Sequence, residues 1–259
     1  MRNRVGDWNT GITVARILSR DGFVYTLGNR FPDGAFFHNG NQPWTNSMPG
    51  FGSLILGNSG IETRTTQVLL SVEKPYTPES RWGTTLAYTF TDATENRDIT
   101  QHYAFDEATI QQYPFTRNDA ISRHRFVGTG TIRGPWDTTV GAKLTLASPI
   151  PFGNVAFFLR PGEYFANGSN GLPVSIAPNN FFGYRQLDLQ VTKDFVLHGS
   201  LSLYVRLDIL NVFDWYNFVD YKTNFGSSGV LPANPVTYNT TGNIIGVTRT
   251  FKAQIGMRF

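Results

Sequence analysis

The sequence has no cysteine among its 259 residues, which excludes disulfides, thiolate chemistry and cysteine-ligated metals. Charged residues are also scarce, at 16%, against about 25% in typical soluble proteins. The formal net charge of +3 is spread along the chain without blocks of lysine and arginine, which argues against a nucleic-acid partner. What remains is a chain rich in aromatic residues, at 14%, and long enough to fold without disulfides or structural metals.

Long hydrophobic runs are absent as well. No apolar stretch approaches the roughly 18 to 20 residues that a membrane-spanning helix needs. This excludes helical membrane proteins but leaves membrane barrels, because barrel strands alternate lipid-facing with lumen-facing residues. The segment from Met1 to Trp8 contains no apolar run of signal-peptide type. We therefore expect either that the protein stays inside the cell or that this chain is a piece of a longer one.

Period-two alternation of apolar and polar residues is the main pattern. Between Leu201 and Phe213, the residues Leu203, Val205 and Leu207 alternate with polar or charged ones, which is strand periodicity. The same rule gives about nine strands in all, with Asp21-Gly22 read as a hairpin turn between the first two. The other strands are expected at 12–18, 23–29, 61–73, 82–90, 121–132, 140–146, 181–195 and 247–259.

The links between these segments alternate in length. Short links are expected at 19–22, 74–80, 134–137 and 197–200, and long ones at 30–60, 92–120, 148–180 and 214–242. Compact soluble domains rarely contain loops beyond about 15 residues. Short turns at one end and long loops at the other are typical of outer-membrane barrels.

Aromatic residues cluster where strands meet loops, as amphipathic rings do at the level of lipid head groups. The same clusters would also fit a soluble core or a surface that stacks on sugars. The alternation of link lengths favours the membrane interpretation. The clusters are Trp82, Tyr88 and Phe90; Phe181 and Phe182; and Phe213, Trp215, Tyr216 and Phe218.

The final third of the chain resembles the end of TonB-dependent outer-membrane receptors. The run Asn211-Val212-Phe213-Asp214 with Tyr216 resembles their "N-hydrophobic-F-D…Y" segment, and the stretch 246–251 resembles the "GRxF" approach to their last strand. Upstream, 123–126 and 51–57 resemble the Oar-like branch of these receptors. One departure is Gln254, which occupies the place of the glycine usual five residues before the terminal aromatic.

This resemblance implies an all-β fold, namely an antiparallel transmembrane β-barrel segment that forms the last strands of a barrel of about 22. Residues 1–259 are then one partial barrel domain, with the plug and signal peptide outside this chain. The implied function is uptake of an unidentified ligand across the bacterial outer membrane, driven by TonB through the missing plug. The implied partners are outer-membrane lipid and the barrel-insertion machinery. The expected assembly signal is Phe251, Ile255, Met257 and Phe259, and the expected lumen-facing residues are Asp188, Arg206, Asp208 and Lys252.

The sequence offers little sign of catalysis. The histidines His38, His102, His124 and His198 have no metal-ligand spacing, so neither a metal nor a cofactor is expected. Ser122 and His124 are expected on one strand face, where they loosely resemble an outer-membrane hydrolase dyad, but a polar pair at the rim is the simpler interpretation. We expect no enzyme. Two alternatives stay open at this point: a soluble aromatic-rich β-sandwich that binds glycans, and an outer-membrane enzyme.

Overall fold

The structure, a computed structural model, describes residues 2–29, 50–96, 103–104, 109–113, 115–152, 175–199, 201–224 and 233–259. It contains thirteen strands in this part of the chain, together with one short 3-10 helix at Ile110–Gln112. Among the same residues we find no helix with the length and apolar character needed to cross a membrane. The strands are β1 (Arg2–Val5), β2 (Trp8–Leu27), β3 (Ile55–Lys74), β4 (Trp82–Glu95), β5 (Tyr103–Ala104), β6 (Thr116–Arg117), β7 (His124–Arg133), β8 (Thr138–Ala147), β9 (Tyr184–His198), β10 (Leu201–Leu210), β11 (Tyr221–Thr223), β12 (Val236–Tyr238) and β13 (Thr250–Arg258).

Nine of the described strands form one continuous sheet in the order β1-β2-β3-β4-β7-β8-β9-β10-β13. Every neighbouring pair along this path is antiparallel. The short strands β5 and β6 attach to β2 and β4, and β11 pairs with β12 in a separate ribbon. This confirms the expected all-β, antiparallel partial barrel. The total of nine main strands also agrees with the prediction, although β1 was not predicted and the predicted strands 12–18 and 23–29 form the single strand β2.

One face of the sheet carries a wide band of apolar residues that crosses most of the strands. Residues paired across an antiparallel ladder share a face, so one continuous row runs through Ile132, Val140, Val191, Leu207 and Ala253. Leu207 is 53% exposed and Ile255, two pairs further on, is 70% exposed. An apolar face this wide is left uncovered by the described residues, and we call it the apolar face.

The links between the nine strands alternate strictly in length. Short turns join β1 to β2, β3 to β4, β7 to β8 and β9 to β10, whereas long segments join β2 to β3, β4 to β7, β8 to β9 and β10 to β13. All short turns therefore lie at one end of the sheet and all long segments at the other, and we call these the turn end and the loop end. The predicted links 74–80, 134–137 and 197–200 fall at turns as expected.

The predicted hairpin at Asp21-Gly22 is wrong. Residues on both sides of this dipeptide belong to the single strand β2, and both halves pair with β3 through a register shift between Ser19 and Gly22. Asp21 takes the left-handed conformation, with φ 58°, inside this bulge. The long ladder with β3 outweighs the local turn signal. The first tight turn lies instead at Gly6-Asp7, where Val5 pairs with Trp8.

The long segments contain secondary structure that the alternation pattern does not predict. The described parts of the second one contribute β5, the 3-10 helix and β6, and those of the fourth contribute the β11–β12 ribbon. At the loop end, Ile110 and Tyr113 pack against Val24 and Ile61 to form a small buried core. Gly60 makes this contact possible, because a Cβ there would lie 2.4 Å from the Ile110 side chain. The described parts of the second and fourth long segments thus contain folded structure at the loop end.

Candidate functional site

The face opposite the apolar face carries the polar residues of the same strands, and we call it the polar face. On β10, Arg206 donates through Nε to both carboxylate oxygens of Asp208, at 2.9 and 3.1 Å. Gln190 of β9 donates to the same carboxylate at 3.0 Å. Lys252 of β13 lies directly across the ladder from Asp208. Charges of both signs therefore balance one another along this face.

Asp188 shares the polar face but also supports a turn. Its Oδ1 accepts hydrogen bonds from Gln186 Nε2 at 2.7 Å and from the backbone N–H of Asn211 at 2.9 Å. Asp188 and Lys143 pair across the β8–β9 ladder, so the polar face continues beyond β10. The register therefore places Asp188, Arg206, Asp208 and Lys252 on one face.

Asn211, which opens the receptor-like motif, organises the end of β10. Its side chain is fully buried and donates to the carbonyls of Trp215 and Val247, at 2.9 and 2.8 Å. Its Oδ1 accepts from Trp215 N–H at 3.0 Å. Asn211 has φ 52°, a left-handed conformation that asparagine tolerates better than most residues. Asp214 then accepts from Arg249 N–H at 2.8 Å, so the motif ties β10 to the approach to β13.

A cavity of about 920 Å³ opens on the polar face at the loop end. Its floor is formed by polar-face residues of β3, β4, β7, β8 and β9, and its walls by parts of the second, third and fourth long segments. The floor includes Gln67, Thr89, Arg125, Lys143, Thr145, Gln186 and Asp188, and the walls include Asp119, Ser122, Ser148, Ile150, Phe218, Tyr221, Tyr238 and Ile245.

Tyrosines give the cavity its aromatic character. Tyr221 and Tyr238 stack with ring centroids 5.5 Å apart, and Tyr221 donates its hydroxyl to the carbonyl of Ile150 at 2.9 Å. Burial, with Tyr221 nearby, raises the pKa of Tyr238 to about 12. Burial and then the charge of Asp119 raise the pKa of Tyr221. Both phenols are therefore neutral at physiological pH and present ring faces and hydroxyls.

The cavity also offers charges of both signs. Arg125 and Lys143 supply cations, while Asp119 and Asp188 supply carboxylates. Aromatic faces combined with mixed polar groups suit a polar organic ligand that is held by stacking and hydrogen bonds. This arrangement can bind and orient such a molecule.

Ser122 and His124 do not form a dyad. Ser122 lines the cavity, whereas His124 pairs across the ladder with Phe90 on the apolar face. The Nδ1 of His124 is hydrogen-bonded to Tyr88 OH at 2.7 Å, which occupies one of its two ring nitrogens. The expected common strand face is wrong because β7 begins only at His124, so the strand alternation does not extend to Ser122.

Metal-ligating side chains are not gathered in the part of the chain that the structure describes: no group of three or more His, Asp or Glu residues there could hold an ion. His198 is the last residue of β9, at the turn end. His38 and His102 lie outside the described residues.

The expected assembly signal lies on the apolar face of β13. Phe251 and Ile255 are each 70% exposed, and Phe259 is 91% exposed. On the opposite side of β13, the ring of Tyr204 covers Gly256, where a Cβ would lie 2.6 Å from the ring. Gln254 donates to the Tyr204 hydroxyl at 3.0 Å. The residue in place of the usual glycine is thus accommodated on the polar face, and Gly256 receives the aromatic ring.

Sequence reasoning missed the cavity tyrosines Tyr184, Tyr221 and Tyr238. The alternation along β9 places Tyr184 on the same face as Gln186 and Asp188, so Tyr184 could have been predicted from the pattern. Tyr221 and Tyr238 belong to a three-residue ribbon inside a long loop, where no extended alternation exists to reveal them.

Comparisons with known proteins give structural likenesses but no sequence match. No protein-family model matches the chain, and neither does any curated protein. The outer membrane transporter YddB from Escherichia coli aligns with a TM-score of 0.58 at 12% sequence identity, over 100% of this chain and 31% of that one. The chain therefore spans about a third of the length of the transporter that it resembles. The likeness shows a partial barrel of the outer-membrane type and lends no support to the Oar-like branch.

Proposed function

We propose that the chain is part of an outer-membrane transporter that takes up a polar organic ligand. The observation that carries this proposal is the division of the nine-stranded sheet into a wide apolar face and a polar face with a cavity at its loop end. Hydrocarbon is the solvent that tolerates an outer surface of exposed Leu, Val, Ile and Phe. The likeness to an outer membrane transporter supports the same function.

The alternation of link lengths supports an orientation. In outer-membrane barrels the short turns face the periplasm and the long loops face the exterior. The turn end, with links such as 134–137, would then be periplasmic. The cavity, which lies at the loop end, would open toward the outside of the cell and meet the ligand first.

We further propose that the chain forms the last strands of a longer TonB-dependent receptor. The path of the described sheet ends at β1 and β13 without these two strands pairing to each other. Further strands on these edges would complete a barrel of about 22, with a plug inside it that couples to TonB. Insertion would depend on the aromatic end of β13. Membership of the Oar-like branch rests on the segments 51–57 and 123–126 alone.

Binding and passage, with no chemical step, are the function that this site supports. On the polar face Arg206 and Asp208 form an ion pair with each other, while Arg125 and Lys143 line the cavity, where they can hold a ligand. A soluble glycan-binding sandwich would need a second layer over the apolar face, which stays exposed at Leu207 in the described structure.

Depletion of medium components tests the transport proposal. Cells that carry the protein as its gene encodes it are compared with cells lacking the gene and cells lacking TonB. We expect at least one polar compound to be depleted only by the cells that carry both the gene and TonB. Thr145→Trp, which fills the cavity from β8, should abolish that uptake, whereas Leu144→Trp on the apolar face of the same strand should not. Identical depletion by all strains would refute the proposal.

A further inference from the structure

Four arginines lie on the same side of the sheet as the apolar face, just beyond it at the loop end. Arg16 of β2 lies in the row that continues through Thr66 and Asp92. Arg64 of β3 lies in the next row, through Thr94 to Arg117 of β6. Arg123, which directly precedes β7, donates to Asp92 Oδ1 at 2.9 Å. We call this set the arginine patch: Arg16, Arg64, Arg117 and Arg123.

Aromatic rings mark the boundary between the arginine patch and the apolar face. The row below that of Arg16 runs through Val14, Val68 and Phe90. Phe90 lies with its ring centroid 5.4 Å from that of His124, which is hydrogen-bonded to Tyr88. Rings of this kind prefer the level of the lipid head groups. The arginine patch begins one row further toward the loop end.

Among the described residues, the arginine patch has more cations than its paired carboxylates neutralise. Asp92 pairs with Arg123, and Glu62 pairs with Arg64 at 3.1 Å. Within the residues that the structure describes, two carboxylates therefore form ion pairs in a set of four guanidinium groups. Burial, and then the Arg123 guanidinium, lowers the pKa of Arg117, with Asp92 opposing them. Arg123 thus disfavours the charge on Arg117, and an anion near both groups would offset this repulsion.

Two guanidinium nitrogens in the arginine patch have no hydrogen-bond acceptor among the described residues. Arg117 Nη2 and Arg123 Nε are buried and have no hydrogen-bond partner within the described part of the chain. Buried donors normally have partners, because an unsatisfied one has lost its hydrogen bonds to water without replacement. Guanidinium forks match the tetrahedral oxygens of phosphate, to which they donate in pairs.

We propose that the arginine patch binds the phosphate of a lipid head group in the loop-side leaflet of the membrane. The lipid's acyl chains would extend down the apolar face past Phe90 and Val68. The side of the sheet decides between sources of phosphate, since these arginines share the lipid-facing side and not the polar face with its cavity. This inference rests on the proposed membrane placement and adds a specific lipid contact to it.

Competition between lipids tests the proposal. The protein as its gene encodes it is purified in detergent, and native mass spectrometry counts bound phosphatidic acid and phosphatidylcholine of identical acyl chains, offered together. We expect phosphatidic acid to be preferred at least about tenfold, because each arginine near a head group adds to the attraction. The double variant Arg117→Gln/Arg123→Gln should lose this preference.

Two further variants keep the result interpretable. Arg16→Gln/Arg64→Gln removes the half of the arginine patch on β2 and β3, and it should weaken the preference by a similar factor. Arg133→Gln is the matched control, because Arg133 lies at the turn end and pairs with Asp137 at 2.6 Å. It should bind phosphatidic acid as the parent does. All variants should show the same heat-modifiable migration as folded barrel.

Three outcomes would overturn the lipid site. These are equal binding of both lipids by the parent, a preference that survives in both double variants, and displacement of phosphatidic acid by an equal concentration of inorganic phosphate, which would indicate a free-anion site. Each of these leaves the transport proposal standing if the parent still inserts in membranes. A parent that fails to insert would instead refute the proposed function.

Discussion

Leu207 gives the sharpest perturbation of the proposed lipid-facing surface. It lies in β10, six residues from the first residue of that strand at the turn end. At about 3.3 Å per residue and a tilt near 40°, this places it roughly 15 Å above the turns. An apolar band in such barrels is about 25 Å tall, so Leu207 lies close to its middle. Its ladder partners are Val191 and Ala253, both apolar.

The expected cost of a charge at this position follows from that depth. Leu207→Arg should destabilise the protein in lipid by about 2–4 kcal/mol, the range for an arginine at the bilayer midplane. The adjacent Arg206 faces the other way and pairs with Asp208 while 40% exposed. Arg206→Gln should therefore cost less than about 1 kcal/mol. Urea titration of the protein folded into phosphatidylcholine vesicles measures both free energies of unfolding.

Stability alone would not separate a lipid-facing surface from a buried protein core, because arginine is harmful in both. The absence of cysteine allows single reporters without background. A fluorophore attached to Leu207→Cys should be quenched by a lipid-borne quencher, and one attached to Arg206→Cys by aqueous iodide. The reversed result would show that the faces are assigned the wrong way round. Lack of lipid quenching at both positions would refute the membrane interpretation.

Three further predictions follow from local geometry. Gly83→Ala should destabilise the β3–β4 turn by about 1–3 kcal/mol, since its Cβ would lie 2.6 Å from the Tyr76 backbone, whereas Gly130→Ala, with its nearest atom at 3.9 Å, should be neutral in the same urea titration. Asn211→Ala should cost about 1–3 kcal/mol, because it removes three hydrogen bonds to partly buried backbone groups of Trp215 and Val247, and unchanged stability would contradict this. The Tyr238 pKa, raised from its ordinary value near 10 to about 12, stabilises the folded loop below pH 10, and this stabilisation is lost between about pH 10 and 12. Absorbance of tyrosinate should show one fewer late-titrating group in Tyr238→Phe, and an identical titration would contradict the assignment.

The sheet was predictable from the sequence because one face of every main strand meets a different solvent from the other. Because of that difference, apolar and polar residues alternate along β10, where Leu203, Val205 and Leu207 are separated by polar residues. The hairpin at Asp21-Gly22 was mispredicted for a complementary reason. A dipeptide reports only local turn preference, and the pairing of β2 with β3 across twenty residues decided the outcome.

The candidate site was harder to predict from the sequence. Its floor follows from strand parity, which places residues such as Gln186 and Asp188 together once the register is known. Its walls come from separate long segments, where Tyr221 approaches Ile150 across 71 positions of sequence. No short-range pattern encodes such a contact, because it depends on how whole loops fold over the sheet.

A cryo-EM map of the protein, as its gene encodes it, in lipid nanodiscs tests most directly whether the nine strands are an arc of a membrane barrel. We expect the apolar face around Leu207 and Ile255 to contact the lipid belt, and the outer edges of β1 and β13 to be hydrogen-bonded to further strands that close the barrel. A map in which the apolar face packs against a second protein layer, outside the lipid, would contradict the membrane barrel.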